Sequence, residues 1–183
     1  MIREKYIKRV KEISINIVQT EIESVRKKDI TKSGLRVYDN SYIGVAGTVG
    51  KVDERELEKR AVENLKLEIP YPYMPSENNV KKVDYREGIF SDEEFVNEID
   101  ELLRNLREEF SDFIFANKIN VTEMETKLTN DVGLDLSHKD RVIQGEIVIK
   151  EKSSINVFDA FALYLDRQYD GKQFLKIIRE TLD

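Results

Sequence analysis

The sequence predicts an α+β fold: a two-layer sandwich with a mostly antiparallel, curled β-sheet and about three helices packed on it. Residues 11–50 predict strands, because Ile13, Ile15 and Ile17 alternate with polar residues at the period of a strand with one buried face. Segments with helical spacing, preceded by capping residues, predict the helices. We expect residues 1–183 to form one domain.

The N-terminal part predicts a meander of three or four antiparallel strands over residues 11–50. Residues 2–10 read as a charged lead-in with room for a helical turn or two. Turns are predicted at residues 27–29 and 33–34. A further turn is predicted at residues 39–41, because Asp and Asn side chains bond to the local backbone there.

The glycines before Lys51 invite comparison with a phosphate-binding loop. Such a loop needs four residues between its first glycine and a Gly-Lys pair, followed by Ser or Thr. The spacing here is five from Gly44 and two from Gly47, and Val52 follows the lysine. These glycines therefore predict a bend or a close backbone approach in a strand.

Three helices are predicted from caps and apolar stripes. Asp53 and Glu56 predict a capping box for a helix that ends near residues 65–67. Ser91 and Glu94 predict a second capping box. The stripe that follows this second box contains Phe95, Ile99, Leu102, Leu103, Leu106 and Phe110. Asp170 is predicted to cap the last helix.

Residues 68–88 predict a connector, since three prolines there cannot donate backbone hydrogen bonds. Tyr71 and Tyr73 lie between the prolines. We expect these tyrosines to hold the connector on the surface, and a recognition groove for aromatic-rich ligands is the alternative.

A second β region is predicted from residue 112 to about residue 165, interrupted at residues 130–133. Residues 137–140 predict a polar hairpin turn, and Gly145 predicts a bulge. Residues 156–165 fit a strand and a helix equally well.

Composition excludes several classes of protein. The absence of cysteine excludes a disulfide scaffold, a zinc ribbon and a thiol nucleophile. A net charge of −6 argues against nucleic acid as a partner. No apolar run approaches the ~20 residues of a membrane span and no signal peptide is visible, so we expect a cytoplasmic protein without a membrane partner.

Few residues are candidates for catalysis. His138 is the only histidine, so neither H-E-x-x-H nor a zinc site with two or three His or Cys ligands can be written. No G-x-S-x-G elbow is present. With thirty-six acidic residues, no particular carboxylate pair stands out. We therefore nominate no catalytic, cofactor-binding or metal-binding residue.

Short motifs occur in a characteristic order. The strand S-G-L-R-V-Y contains Gly34 and Arg36, the strand G-V-A contains Gly44, and the turn N-D-V-G contains Asn130 and Gly133. With the D-x-x-E helix between them, these motifs resemble the N-terminal domain of the TldD/PmbA family, described as "putative modulator of DNA gyrase". The resemblance covers essentially the whole chain. We expect all five positions to be structural.

The resemblance implies a role in a metallopeptidase that acts in peptide maturation and proteolysis. In this family the metal-binding H-E-x-x-x-H helix lies in a C-terminal domain, which would begin at about Asp183, and the PmbA branch lacks the full motif. We therefore expect no cofactor in this chain, and zinc or another divalent metal only in that further domain. The chain would serve assembly, as a homo- or hetero-dimer with a family member, and access of a peptide substrate.

Two other functions stay open. One is a stand-alone module that binds a peptide or protein at an exposed sheet edge, by adding a strand. The other is a small enzyme that uses carboxylates and a bound divalent ion, for which the acid count is the only indication. The sequence also leaves open whether the chain stands alone or belongs to a longer protein.

Overall fold

A computed structural model describes residues 1–51, 53–86, 88 and 91–182. The elements in chain order are β1 (Ile2–Val18), β2 (Glu21–Asp39), β3 (Tyr42–Val49), α1 (Glu54–Glu63) with a 3-10 turn (Asn64–Leu67), β4 (Val80–Asp84), α2 (Asp92–Glu109), β5 (Phe113–Asn130), β6 (Asp135–Glu151), β7 (Ala160–Asp166) and α3 (Gly171–Leu182). Strands account for 52% and helices for 25% of the structure, which confirms the α+β sandwich. None of the helices described has the length and apolarity that crossing a membrane requires.

The strands form one sheet that does not close. Its order is β3-β2-β1-β5-β6-β4, and β7 pairs with β6 beside that path. The β2–β3 and β6–β7 pairs are antiparallel, whereas β4 runs parallel to β6. The expectation of a mostly antiparallel sheet is confirmed.

The chain divides into two compact units. Unit 1 contains Met1–Lys11, Asp29–Tyr85 and Met124–Asp140, and unit 2 contains Glu12–Lys28, Arg86–Glu123 and Arg141–Asp183. Each unit has a hydrophobic core of its own. That residues 1–183 act as one domain stays a prediction.

The core of unit 1 lies between helix α1 and strands β2 and β3. Its buried members are Leu35, Val37, Ala46, Leu57 and Ala61. The Asp53 side chain caps α1, because its Oδ1 accepts the backbone N–H groups of Arg55 at 3.0 Å and Glu56 at 3.3 Å. The predicted cap and apolar face are confirmed, but the bonds of the described residues do not include the return bond from the Asp53 N–H to the Glu56 side chain that would complete the predicted capping box.

The core of unit 2 lies between its sheet and helices α2 and α3. Helix α2 has the full capping box: Ser91 Oγ accepts the Glu94 N–H, and the Glu94 carboxylate accepts the Ser91 N–H. Five of the six predicted apolar positions of α2 are buried, and Phe110 packs partly buried against the same core. Asp170 caps α3 by accepting the N–H groups of Lys172 and Gln173.

Two expectations for the first strands are wrong. Residues 2–10 belong to β1, and the turns predicted at residues 27–29 and 33–34 lie inside β2. The hairpin turns at Gln19 and Thr20, which have φ angles of 49° and 62°. Most of residues 2–10 are half-buried and residues 21–29 are largely exposed. A strand that does not have one buried face shows no alternation of apolar and polar residues in its sequence. The turn at residues 39–41 is confirmed.

Expectations for the second β region are also corrected. Residues 137–140, predicted as a hairpin turn, lie inside β6. Residues 137–139 pair with β4, a strand within the predicted connector. Their polar character reflects half-buried positions rather than a turn. Gly145 forms no bulge towards β7, since the β6–β7 register passes through it without a break. The interruption at residues 130–133 is confirmed, and residues 160–166 prove to be a strand.

Candidate functional site

The five motif positions all lie in unit 1. Gly34 and Arg36 are in β2, Gly44 is in β3, Asn130 ends β5 and Gly133 is in the turn that follows. An identifiable packing or hydrogen-bonding role is evident for four of them: Arg36, Gly44, Asn130 and Gly133. Gly34 has only an ordinary contact, since a β-carbon there would lie 3.9 Å from the Ala46 carbonyl oxygen.

Gly44 lets helix α1 approach β3 at backbone distance. A β-carbon at this position would overlap the carbonyl oxygen of Ala61 and lie 2.9 Å from the backbone nitrogen of Leu65. Gly44 is buried in a strand, which fits the predicted close approach and not a phosphate-binding loop.

Asn130 organises the turn between β5 and β6. Its Oδ1 accepts the N–H groups of Val132 at 3.0 Å and Leu134 at 2.9 Å, and its Nδ2 donates to the Ser76 carbonyl at 2.8 Å. Gly133 has a φ of +89°, and a β-carbon there would lie 2.6 Å from Asn78 Oδ1. The motif therefore ties residues 76–78 of the connector to the sheet.

Arg36 belongs to a network around a buried carboxylate. Glu4 is 6% exposed, and its Oε1 accepts from Arg36 Nη1 and from the Tyr38 hydroxyl, each at 3.0 Å. Burial raises the pKa of Tyr38 above its ordinary value. The Tyr38 ring lies 5.1 Å from the Tyr71 ring, which in turn lies 5.5 Å from Tyr73, the latter largely exposed.

Backbone hydrogen bonds also hold the connector on unit 1. The Tyr71 N–H donates to the Ser41 carbonyl at 2.7 Å, and the Ile43 N–H donates to the Ile69 carbonyl at 3.0 Å. Further along, β4 pairs with β6. The connector is thus an ordered part of the surface, because its polar backbone groups bond to the strands beneath it.

A cavity of about 270 Å³ in unit 1 lies beside Asn130. Its charged lining is largely paired: Arg3 Nε lies 2.6 Å from Glu58 Oε1 and Arg3 Nη1 lies 3.5 Å from Asp131, while Lys5 pairs with Glu54. The hydrogen bond that Arg3 donates to the Glu58 carboxylate raises the pKa of Arg3. Charges committed to one another in this way do not form an evident ligand site.

A larger cavity in unit 2, of about 720 Å³, lies between α2 and the start of α3. Its lining includes Glu98, Glu101, Asp166 and Asp170. Burial raises the pKa of the neighbouring Tyr169, whose hydroxyl is buried and has no hydrogen-bond partner in the described part of the chain. Over that same part, no three His, Cys, Asp or Glu side chains are grouped so that they could hold a metal ion.

His138 lies in β6, opposite Val83 of β4, and its ring stands 5.6 Å from the ring of Tyr85. This is a half-buried position in a paired strand rather than the exposed turn that the sequence predicted.

The outer edge of β3, in unit 1, is largely occupied. The carbonyls of Val45 and Gly47 accept hydrogen bonds from Asn64 Nδ2 at 2.8 Å and Arg60 Nη2 at 3.2 Å. The Ile43 N–H is bonded to the connector. Because helix α1 and the connector use these backbone groups, a peptide could not pair with residues 43–47 without displacing them.

The outer edge of β7, in unit 2, is different. Phe161, Leu163 and Leu165 are 48%, 50% and 64% exposed, while the alternate residues Ala162 and Tyr164 are 1% exposed and belong to the core. Strand β7 pairs with β6, and no second strand pairs with it among the residues described. The loop before it adds further exposed apolar side chains, namely Ile155, Val157 and Phe158.

Sequence reasoning missed this edge. Residues 160–165 read A-F-A-L-Y-L, in which both alternating sets are apolar, so periodicity could not separate the buried face from the exposed one.

Comparison with known proteins gives matches in structure only. No family model matches the chain, and no curated protein matches it. The fold is similar to TldE from Thermococcus kodakarensis, with a TM-score of 0.65 and 18% identity over 96% of this chain. The chain has the fold of a TldD/PmbA N-terminal domain.

Two further structures share this TldD/PmbA fold, and each is described as a "putative modulator" of DNA gyrase. The protein from Thermotoga maritima has a TM-score of 0.73 and 12% identity over 98% of this chain. The protein from Bacteroides thetaiotaomicron has a TM-score of 0.63 and 10% identity over 99%. The chain covers 42%, 43% and 46% of the three structures, so it spans less than half of each. The predicted resemblance is confirmed for the fold.

Proposed function

We propose that the chain is the non-catalytic N-terminal domain of a TldD/PmbA-like metallopeptidase that acts in peptide maturation and proteolysis. The observation that carries this proposal is the structural match, which takes in almost the whole chain but less than half of TldE and of the two gyrase-modulator proteins. In this proposal the chain works in the cytoplasm and requires no cofactor of its own.

The tasks of the motif residues support a scaffold role. Gly44 allows helix α1 to pack closely on β3, while Asn130 and Gly133 hold the turn between β5 and β6 and the connector in place. Arg36 neutralises the buried Glu4 carboxylate. Side chains used in this way hold a surface in place. A divalent metal would belong to a further domain with the H-E-x-x-x-H motif, in this protein or in its partner, and would supply Lewis-acid chemistry there.

The partner in this proposal is a second family member, as a homo- or hetero-dimer, and the assembled domains would limit access of peptide substrates. The exposed apolar side chains at β7 support an assembly role, since contiguous exposed apolar surface is typical of interaction sites.

The test is a mixing experiment with the purified 183-residue chain and a full-length family protein that carries H-E-x-x-x-H. Size-exclusion chromatography with light scattering measures association, and fluorescein-labelled casein with added Zn²⁺ measures hydrolysis. We expect the chain to associate with itself or with the family protein, and to release no label when it is alone. Zinc-dependent hydrolysis by the chain alone, or a monomer that associates with nothing, would overturn the proposal.

The open edge of β7 favours a second candidate function, a stand-alone module that binds an extended peptide or protein by strand addition. Fluorescence anisotropy with a labelled, reduced and carboxymethylated α-lactalbumin tests it. This candidate predicts saturable binding that is lost when Leu163 is changed to Lys. A further variant that lacks residues 70–75 reports whether the tyrosine-proline connector contributes. No binding by the native chain would rule the candidate out.

A further inference from the structure

We propose that β7 is a homodimer edge, at which the β7 strands of two copies of this chain pair antiparallel about a two-fold axis at Leu163. The inference deepens the assembly role and rests on the function proposed above. It commits to a second copy of this chain as the occupant of the edge.

The edge has none of the features that commonly prevent strand pairing. Monomeric proteins protect edge strands with lysines, prolines, bulges or a covering helix. Strand β7 contains no lysine and no proline, its one charged residue is Asp166 at its end, and its register with β6 is regular. By contrast, helix α1 and the connector bond to the edge of β3. Of the edges at β3 and β7, only the β7 edge therefore offers a partner both continuous apolar side chains and backbone groups.

The strand is complementary to itself when Leu163 is the centre. In that register Leu163 lies opposite Leu163 of the second copy, and Phe161 lies opposite Leu165. On the other face, the small Ala162 lies opposite the large Tyr164. Each of these cross-strand pairs is apolar, which is the arrangement that stabilises neighbouring strands. A two-fold axis requires such self-complementarity, because the same patch serves both subunits.

Charges at the two ends fit the same register. Asp159 of one copy lies opposite Arg167 of the other, and symmetry gives this opposite-charge pair twice. Hydrogen bonds from Ser154, Asn156 and the Glu151 backbone lower the pKa of Asp159, so its carboxylate stays ionised at neutral pH. A parallel arrangement would place Asp159 opposite Asp159, and like charges directly opposite destabilise a pair. The charges therefore favour the antiparallel register.

The experiment measures the mass of the full chain by sedimentation equilibrium. At about 100 µM, a hundredfold above a micromolar Kd, we expect twice the chain mass of 21.4 kDa. Leu163→Lys places two lysines against each other at the axis, and we expect the Kd to rise at least about 100-fold. Val45→Lys is the matched control, because Val45 is 47% exposed in β3, another edge strand of the sheet. This control should keep the dimer mass. Circular dichroism checks that each variant is folded.

A charge-complementation experiment tests the position of the axis. Because residue 163 faces itself in the proposed dimer, Leu163→Lys and Leu163→Glu should each be monomeric, whereas an equimolar mixture should regain the dimer mass. Regain of that mass supports an axis at Leu163. A mixture that stays monomeric overturns this register.

The remaining outcomes separate this inference from the proposed function. A dimer mass that persists in folded Leu163→Lys overturns the β7 edge but leaves assembly through another face. A native chain that is monomeric at about 100 µM, yet associates with a full-length family protein, overturns the homodimer and retains the proposed function. A monomeric chain that binds the carboxymethylated α-lactalbumin through β7 overturns both in favour of the peptide-binding module.

Discussion

Gly44 in β3 and Ala61 in α1 meet at backbone distance: a β-carbon on Gly44 would overlap the Ala61 carbonyl oxygen. The obstacle is main chain on a helix that packs into the unit 1 core, so no side-chain rotation relieves the overlap. Helix and strand would have to separate.

Gly44→Ala should therefore destabilise the protein by roughly 1–3 kcal/mol, the usual cost of overpacking a core, or by more. Urea unfolding followed by circular dichroism measures the loss. Gly47→Ala is the control, since a β-carbon there would lie 3.6 Å from the Ser33 carbonyl oxygen, an ordinary contact. Equal unfolding midpoints for the two variants would contradict the close approach.

The stability of the protein should fall more when the Asn130 side chain is removed than when Asn130 is replaced by a charged residue of the same shape. Asn130→Ala loses two accepted hydrogen bonds and the donation to Ser76, which we expect to cost about 1–3 kcal/mol. Asn130→Asp loses the donation and turns a carboxylate oxygen towards the Ser76 carbonyl oxygen. Its negative charge, however, strengthens the two hydrogen bonds accepted from the amides of Val132 and Leu134. Asn130→Asp should therefore cost less.

Urea unfolding measures both Asn130 variants, and limited proteolysis reports on residues 76–78. Cleavage there should be faster in both variants than in the native chain, because each loses the hydrogen bond to the connector. If Asn130→Asp were as destabilised as Asn130→Ala, the turn would not depend on the accepted bonds.

The helices and the fold class could be predicted from the sequence because their signals are local. Asp53 and Ser91 each stand directly before an apolar stripe, and the structure places both as caps. The buried faces of β1 and β6 in unit 2 also follow a simple alternation, as Ile13, Ile15 and Ile17 show.

Other parts of the fold depend on pairing between distant residues. Strand β4 exists because residues 80–84 pair with residues 135–139, and its own side chains are mostly exposed. Nothing in V-K-K-V-D indicates such a partner. The same limit applies to the candidate site: the motif residues could be located from the sequence, whereas the open edge at β7 depends on which strand lies beside it.

Gly145 and Phe174 offer a test of packing in unit 2. A β-carbon on Gly145 would overlap the Phe174 ring, lying 2.6 Å from its Cε1, and that ring stacks on Tyr164 at a centroid distance of 4.8 Å. Gly145→Ala should cost roughly 1–3 kcal/mol, because the ring must leave a fully buried site.

Phe174→Leu should itself destabilise unit 2, but it frees space beside residue 145. We therefore expect the double variant Gly145→Ala with Phe174→Leu to be less destabilised than the sum of the two single changes, with a coupling of about 0.5–3 kcal/mol. A double-mutant cycle in urea measures the coupling. Strict additivity would mean that residue 145 does not press on the ring.

The ion pair between Glu109 of α2 and Arg179 of α3 should make the stability depend on pH. Arg179 donates from Nε at 2.5 Å and from Nη2 at 2.6 Å to the two carboxylate oxygens, and these hydrogen bonds lower the pKa of Glu109 below its ordinary 4.5. A carboxyl group with a lowered pKa stabilises the folded state above its unfolded pKa. That contribution is lost as the pH falls through the folded value.

Glu109→Gln should therefore reduce stability at pH 7 and flatten its decline as the pH falls below about 5, since the neutral amide no longer titrates. The effect should be small, because the pair is exposed to solvent, and it should shrink further in salt. Urea midpoints at several pH values measure the slope for the native chain and the variant. Glu108→Gln serves as the control, because Glu108 is an exposed carboxylate in the same helical turn. A slope unchanged by Glu109→Gln, or equally changed by Glu108→Gln, would contradict a specific role for Arg179.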